Sequence, residues 1–228
     1  MKIKNLLIIL FFPLLTACPT VVDEERVEKD YFIDERDGNK YSIVKIGNQT
    51  WFAEDLRYVS NTKFIENKED WSSIFLQNTK VPAHTISAIG STAVQTVGPF
   101  YNWFAVQTGF LCPNGWKIPT EHDFRQLADN LGGLQYGTKL KSKTGWGNED
   151  ISEVERNLSG FDAKANGRID NYGRYDYFEE HGYWWTSTKV DHPTTDLAVM
   201  MSLNQGGPEM NIQNMNVEIG FACRCLKD

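Results

Sequence analysis

Histidine is scarce in this chain: four occur in 228 residues, and none stands at the short spacing of a metal-binding motif. A zinc hydrolase needs paired histidines on one helix, or a comparable cluster of cysteines and histidines. The segment EHDF, which contains His122, has neither the second histidine nor the order of a zincin helix. The sequence therefore predicts no metal centre and gives no support to zinc hydrolysis.

Phosphate-binding motifs are also missing. The segment GWGNED (Gly145 to Asp150) lacks the third glycine of a dinucleotide fingerprint, and no lysine follows a phosphate-loop pattern. Calcium is poorly supported, because DERDGNK offers only Asp34, Glu35 and Asp37, whereas a calcium loop supplies six or more oxygens. We therefore expect no cofactor and interpret DERDGNK as a hairpin turn.

Positive charge is in the minority, with 23 basic against 30 acidic residues. Removal of a leader that contains Lys2 and Lys4 would leave 21 basic residues, so the processed chain would carry a net charge near −9. An acidic surface repels phosphate backbones and anionic headgroups. We expect no nucleic-acid partner.

The apolar run at the amino terminus is too short to cross a membrane as a helix. Lys2 and Lys4 precede this run, which extends from Leu6 to Leu15, and small residues follow it up to Cys18. That order is typical of a signal peptide, here residues 1–17. The letters LTAC, ending at Cys18, resemble a bacterial lipobox, which implies cleavage before Cys18 and lipidation of its thiol. The alternative is an ordinary signal peptide with an incidental cysteine.

Residues 18–30 are expected to be a flexible tether, because PTVVDEERVEK is charged and lacks aromatic side chains. Lipobox processing normally adds three acyl chains, which is more than stable anchoring requires. The expected membrane contact is therefore the N-terminal lipid alone. The expected location is the cell envelope, at the outer membrane, on its periplasmic or surface face.

Residues 31–228 have the composition of one folded domain, since hydrophobic residues make up 41% of the chain and aromatic residues 13%. Two turn signals, Asp37-Gly38-Asn39 and Gly47-Asn48, separate strand-like runs and predict a three-stranded meander. The segment from Val59 to Val97 lacks sustained periodicity, so we expect it to be rich in loops, with a short helix around Trp71 to Gln77.

The clearest helix signal is PTEHDFRQLADNLGG. Thr120 is suited to the N-cap, Asp123 stands at the third helical position, and Gly132-Gly133 ends the pattern. The apolar face consists of Phe124, Leu127, Ala128 and Leu131.

Three strand-like runs close the chain: YWWTSTKV, LAVMMSLN and IGFACRCLKD. Neighbouring side chains on a strand point to opposite faces. We therefore expect one of Trp184 and Trp185 to point inward with Trp103 and Trp116, and the other to point toward loops or solvent.

Five segments, in order, resemble the Fibrobacter succinogenes major paralogous domain: DGNKYSIVKIGNQTWFAEDL, YNWFAV, CPNGWKIPTEHDFRQL, GYWWTST and GFACRCLKD. The resemblance runs from about Ile33 to the end, and it implies a bacterial lipoprotein with a C-type-lectin-like fold related to the formylglycine-generating enzymes. The expected class is α+β, with an N-terminal β-meander, one clear central helix, long loops and closing antiparallel strands. The segment AKANG (Ala163 to Gly167) departs from the family's usual ALPGG, so no ligand preference transfers.

The resemblance also implies a disulfide between Cys112 and Cys225, which would persist in an exported domain. Cys223 is then left over. One interpretation makes Cys223 a buried thiol. The other pairs Cys223 with Cys225 as a thiolate site for Cu(I), as in a copper-dependent thiol oxidase. The resemblance argues against copper, because formylglycine-generating enzymes place their metal-binding cysteines elsewhere in the chain.

The best candidate for a ligand surface is the aromatic stretch from Arg168 to Trp185. Tyr172, Arg174, Tyr175 and Tyr177 alternate there with glycine and acidic residues, a composition typical of adaptable binding loops. Tyrosine rings can stack on sugars or anchor a protein partner. The alternative is a purely structural loop.

The expected function, by analogy of fold, is non-catalytic recognition of a glycan or protein by a lipid-anchored protein. A structural or assembly lipoprotein of a surface complex is the second hypothesis, and it predicts an exposed hydrophobic patch or edge strand. Copper-dependent thiol oxidation is the third. We do not predict an enzyme.

Overall fold

The computed structural model describes residues 30–89, 95–147 and 155–228. The predicted signal peptide, the lipidation site Cys18 and all but the last residue of the predicted tether lie outside these ranges. The helices of the described ranges are α1 (Lys68–Leu76), α2 (Trp103–Gln107) and α3 (Glu121–Leu131), with a 3₁₀ helix at Leu134–Leu140. None of them is long and apolar enough to span a bilayer.

Most regular structure in the described ranges is β-strand. The strands are β1 (Tyr31–Ile33), β2 (Lys40–Ile46), β3 (Gln49–Phe52), β4 (Lys63–Phe64), β5 (Ala83–Ile89), β6 (Gln95–Tyr101), β7 (Trp116–Lys117), β8 (Arg168–Ile169), β9 (Tyr175–Asp176), β10 (His181–Val190), β11 (Leu197–Asn204), β12 (Met210–Asn216) and β13 (Leu226–Lys227). They form four sheets, ordered β1-β2-β3-β13-β7, β10-β11-β12, β4-β5-β6 and β8-β9. All neighbours are antiparallel except β4 and β5. The domain is therefore a mixture of helix and sheet, with strands predominating.

The predicted meander is confirmed, since β1, β2 and β3 pair in sequence order. Its two faces belong to different hydrophobic cores because Trp51 and Phe52 are neighbours on β3 and point in opposite directions. The Phe52 ring stacks on Tyr41 at 4.4 Å and contacts Trp116. The Trp51 ring lies 5.2 Å from that of Phe124, on α3. The meander thus separates a core beneath α3 from a second core on its other face.

The predicted α3 is also confirmed, together with its cap. The Thr120 hydroxyl accepts a hydrogen bond from the Asp123 backbone N–H at 3.1 Å, and the Asp123 carboxylate accepts one from the Thr120 N–H at 2.8 Å. This reciprocal pair satisfies two donors that a helix start leaves unpaired. The helix ends at Gly132, whose φ of 105° suits glycine.

The segment from Val59 to Val97 is more regular than the sequence suggested, because β4, α1, β5 and the first three residues of β6 fall within it. The helix begins at Lys68, earlier than expected, since the Asn67 side chain caps it by accepting from the Asp70 N–H at 2.8 Å. Only Trp71 and Ile74 of this helix are buried. Two buried residues are too few to produce a recognisable helical periodicity in the sequence. Strands β4, β5 and β6 form by pairing between residues that are distant in sequence, which local patterns do not reveal.

One closing strand was predicted wrongly. Strands β10 and β11 are as expected, but the third strand of their sheet is β12, whose sequence MNIQNMN carries little apolar signal. The expected third strand, IGFACRCLKD, passes through the middle of the domain, and only its end, β13, enters a sheet, between β3 and β7. Its apolar run reflects burial on all sides, which a sequence cannot distinguish from a strand in a sheet.

Trp184 and Trp185 point in opposite directions, as expected for adjacent residues on β10, and both are fully buried. Trp185 shares a core with Trp103 and Trp116. Trp184 packs beneath the loop that contains Phe161 and shares the other core with it. Neither ring therefore reaches solvent.

The disulfide between Cys112 and Cys225 is present, with Cα atoms 5.8 Å apart, and Cys223 is free and buried. It joins positions 113 residues apart in sequence. By loop-closure entropy, a crosslink of this span stabilises a fold by roughly 4 to 5 kcal/mol at most. It ties the segment before α3 to the residue that precedes the final strand.

A buried ion pair lies one residue before this crosslink. Arg224 has no exposed surface, and its Nη2 donates to Asp55 Oδ1 at 2.6 Å, while a second N–H donates to the Phe161 carbonyl. The same carboxylate accepts from the indole N–H of Trp184 at 2.8 Å and from the amide of Asn166 at 2.9 Å. Asp55 therefore joins the final segment to β10 and to the loop before β8.

We expect Asp55→Asn to lower the free energy of unfolding by about 3 to 5 kcal/mol, because it leaves the Arg224 charge buried without a counter-charge. The matched control is Glu121→Gln, which removes a carboxylate that pairs with Arg125 on the surface and is expected to change stability by less than about 1 kcal/mol. Urea unfolding of the disulfide-bonded proteins measures both changes. Equal losses would show that the buried pair is not a principal stabilising contact.

Candidate functional site

The tip of the β8–β9 hairpin is fixed by one buried carboxylate. Asp170 Oδ1 accepts from the backbone N–H groups of Tyr172 and Arg174, both at 2.9 Å, and Oδ2 accepts from Nε of Arg174 at 2.7 Å. Gly173, between them, has a φ of 75° and sits against the Lys68 backbone. The tip is therefore held against α1 in a defined conformation.

The four predicted ligand-binding residues do not share one surface. Tyr172 and Arg174 face a shallow cleft of about 370 Å³ that Lys68, Glu69 and Ser72 complete. The Tyr172 ring lies edge-on to Phe75 at 5.9 Å. Since Arg174 is already paired with Asp170, this cleft offers little unpaired charge.

Tyr175 points into the protein. Its hydroxyl donates to the Asn166 carbonyl at 2.7 Å, and its ring lies 5.7 Å from Phe100 and 6.3 Å from Phe178. Burial raises the pKa of this tyrosine well above its ordinary value. Its contacts are those of a packing residue that attaches the hairpin to the core.

Tyr177 lies on a different surface, which we call the sheet groove, a depression of about 490 Å³ over one face of the β10-β11-β12 sheet. Its lining residues are Arg168, Tyr177, His181, Tyr183, Met200, Ser202, Asn204, Asn211, Gln213 and Met215. Tyr177 has a φ of 61°, which bulky residues rarely adopt. Its carbonyl accepts from the N–H groups of Glu180 and His181, at 3.1 and 3.0 Å, which hold this turn.

Aromatic rings and one guanidinium form one wall of the sheet groove. His181 stacks on Tyr183 with ring centroids 5.5 Å apart and meets the edge of Tyr177 at 5.0 Å. The Arg168 guanidinium carbon lies 4.9 Å from the centre of the Tyr177 ring and 5.8 Å from that of Tyr183. Burial lowers the pKa of His181 and raises the pKa of Tyr183 to about 12. Both groups are therefore neutral at pH 7.

The floor of the groove follows from strand register. Tyr183 pairs with Ser202, which pairs with Asn211, and His181 pairs with Asn204, so their side chains stand on one face of the sheet. Within the described ranges, the side-chain oxygen and nitrogen atoms of Ser202, Asn204, Asn211 and Gln213 have no hydrogen bond to another side chain. These atoms can bind a ligand without breaking an existing bond.

The sequence pattern identified Tyr177 as a candidate, but it did not identify the residues that β12 contributes to the sheet groove. The signal lay in MNIQNMN, where Asn211, Gln213 and Met215 alternate with Ile212 and Asn214. The run was too polar to be recognised as a strand before its partner β11 was known.

A larger groove, of about 740 Å³, runs along β2 between Asp30 and Lys164. No aromatic ring lines it. Some of its charges are already paired, as Lys164 is with Asp162 at 3.0 Å and Glu54 with Arg57 at 2.7 Å. It contains none of the residues predicted to bind a ligand.

Residues 44–227 match the family model of the Fibrobacter succinogenes major domain. The chain belongs to this family. The match begins within β2 and ends with β13, and so includes the sheet groove, the disulfide and the Asp55–Arg224 pair. No curated protein and no solved structure matches the chain.

The cysteines of this Fibrobacter succinogenes major domain do not form the copper site considered above. Cys225 is bonded to Cys112, so it cannot act as a thiolate while the crosslink is intact. Cys223 is fully buried, and burial raises the pKa of its thiol well above the usual value. Within the described ranges, no three His, Cys, Asp or Glu side chains cluster in a way that could hold a metal ion.

We expect Cys223 to resist thiol reagents in the native protein, because the reactive form is an accessible thiolate. In a chain carrying Cys18→Ser, its labelling should be at least about a hundredfold slower than after unfolding in urea without reductant. A colorimetric thiol assay measures both rates, and Cys223→Ser provides the blank. Fast labelling of the native protein would contradict the buried assignment.

We also expect Gly173→Ala to destabilise the domain more than Gly38→Ala. Both glycines have nearly the same φ, 75° and 77°, so alanine meets the same backbone strain of about 1 kcal/mol in each. A Cβ at Gly173 would lie 2.4 Å from the Lys68 carbonyl oxygen, whereas one at Gly38 has no neighbour within 4 Å. We expect the clash to add about 1 to 3 kcal/mol in urea unfolding. Equal losses would contradict tight packing of the hairpin tip on α1.

Proposed function

We propose that this protein is a lipid-anchored cell-envelope protein whose folded domain binds a glycan, without catalysis, in the sheet groove. The observation that carries the proposal is the combination of an aromatic wall with a floor of unpaired amide and hydroxyl groups. Sugars present apolar C–H faces that stack on rings and hydroxyls that pair with polar side chains. The groove offers both kinds of contact side by side.

The accessibility of Tyr177 supports this assignment. Its side chain is 39% exposed, while Tyr183 beneath it is buried and stacks on Phe221 at 5.0 Å. An exposed ring on a rigid support loses little conformational freedom when a ligand stacks on it. Docking of a protein partner is less favoured, because the floor is polar, whereas the fully buried centre of a protein interface is more apolar than its rim.

The fold proposal remains that of a C-type-lectin-like domain. Its support is the closure of the chain, in which the final strand β13 enters the N-terminal sheet beside β3 and the residue before it, Cys225, is crosslinked to Cys112. The hairpin that borders the sheet groove, β8–β9, comes from the long segment between α3 and β10.

The anchoring proposal depends on LTAC and Cys18. Twelve residues separate that cysteine from Tyr31, the first residue of β1. Fully extended, they would span at most about 40 Å. Such a tether would leave the acidic domain free of anionic headgroups while the lipid keeps it at the membrane.

We expect Tyr177→Ala to weaken glycan binding about tenfold through loss of ring stacking. Tyr172→Ala is the matched control, since this tyrosine is also exposed but lies in the cleft beside α1. Glycan-array screening followed by calorimetry on the best ligand measures both, and the melting temperature should stay unchanged. Loss of binding in Tyr172→Ala alone would move the site to the α1 cleft. No glycan bound by well-folded protein would overturn the proposal.

A further inference from the structure

We infer that the glycan taken by the sheet groove is acidic, and that its carboxylate binds Arg168. The inference rests on the proposed glycan-binding function and adds the class of sugar. Arg168 is the one charged side chain among the ten that line the groove. Asp176 pairs only with its Nε, so the two terminal nitrogens of Arg168 are the groove's charge-assisted donors for an anionic group on a ligand.

The hydrogen bonding of Arg168 leaves the terminal nitrogens of its guanidinium available to a ligand. Nε donates to Asp176 Oδ1 at 2.9 Å, and in the described part of the chain neither terminal nitrogen of the guanidinium has a hydrogen-bond partner. The side chain is only 20% exposed. A guanidinium presents pairs of N–H groups that match the two oxygens of a carboxylate.

The position of the Arg168 guanidinium is set before any ligand binds. Asp176 holds Nε from one side, and the rings of Tyr177 and Tyr183 lie 4.9 and 5.8 Å from the guanidinium carbon. Asp176 does not line the groove, so it orients the arginine without placing a carboxylate among the ligand contacts. A held guanidinium loses less side-chain entropy on binding than a free one.

The rest of the groove favours a carboxylate on a sugar over a more highly charged anion. The other polar lining groups are neutral at pH 7, including His181, whose pKa burial lowers. A phosphate or a polysulfated chain would bring two or more negative charges to one arginine. A uronic acid brings one carboxylate, together with the ring hydroxyls that Asn204, Asn211 and Gln213 can pair with.

The test compares uronic-acid oligosaccharides with their methyl esters, which keep the sugar and remove the charge. The full chain is purified in a detergent without a sugar headgroup, and binding is measured by calorimetry. The panel contains galacturonate, glucuronate and mannuronate oligomers, sulfated and phosphorylated oligosaccharides, and neutral glycans. We expect at least one uronate to bind and its ester to bind about tenfold or more weakly.

Three variants separate a specific contact from general electrostatics. Arg168→Gln should abolish the preference for acid over ester, and Arg168→Lys should restore part of it. Arg174→Gln makes the same change of charge in the α1 cleft and should leave the preference intact. The melting temperature of each variant shows whether it is folded.

The outcomes distinguish this inference from the function on which it rests. Equal binding of acid and ester, binding of neutral glycans alone, or preference for sulfate or phosphate would overturn the acidic-sugar inference and leave glycan recognition standing. An equal effect of Arg174→Gln would also overturn it. No binding of any glycan by folded protein would overturn the proposed function itself.

Discussion

The buried contact between Arg224 and Asp55 sets the position of most of the site. A guanidinium without exposed surface is stable only if its charge and its N–H groups are matched, and Asp55 together with the Phe161 carbonyl supplies that match. The same carboxylate receives hydrogen bonds from Asn166 and Trp184. The loop before β8 and the middle of β10 are therefore fixed to one point in the interior.

The segment that carries Arg224 extends this arrangement by backbone hydrogen bonds. Gly220 exchanges two bonds with Ile169 of β8, at 2.8 and 3.0 Å, and Ala222 bonds to β10 on either side of Trp184. Cys223 accepts from the Leu56 N–H at 2.8 Å. The final ten residues thus link the elements that border the sheet groove with the meander, and the disulfide at Cys225 holds them there. What resembled a closing strand in the sequence is the central connection of the domain.

How far the sequence predicts this structure depends on the range of each interaction. Thr120, Asp123 and the apolar face of α3 are local signals, and the turns of the meander are local too, so both elements could be predicted. The crosslink followed from resemblance to the family. Strand β12 could not be predicted, since its polar sequence becomes a strand only through pairing with β11. Tyr172, Tyr175 and Tyr177 lie close in sequence, but the hairpin tip and the φ of 61° at Tyr177 send them to three different environments.

Side chains on β11 and β12 alternate between the core and the sheet groove. This alternation makes the groove difficult to predict from the sequence, but it also makes the groove suitable for recognition. On β11, Met201 and Leu203 face the core beneath α3, while Ser202 between them faces the groove. On β12, Ile212 packs toward that core, and Asn211 and Gln213 face outward. Tyr183, Met200 and Ser202 of the lining are buried, but Asn204, Asn211 and Gln213 are partly or fully exposed, and substitutions at such positions change stability by about 0.5 kcal/mol or less. These three amide residues can therefore vary, and with them the ligand, without loss of the frame, whereas Arg224, Asp55 and Trp184 have no such freedom.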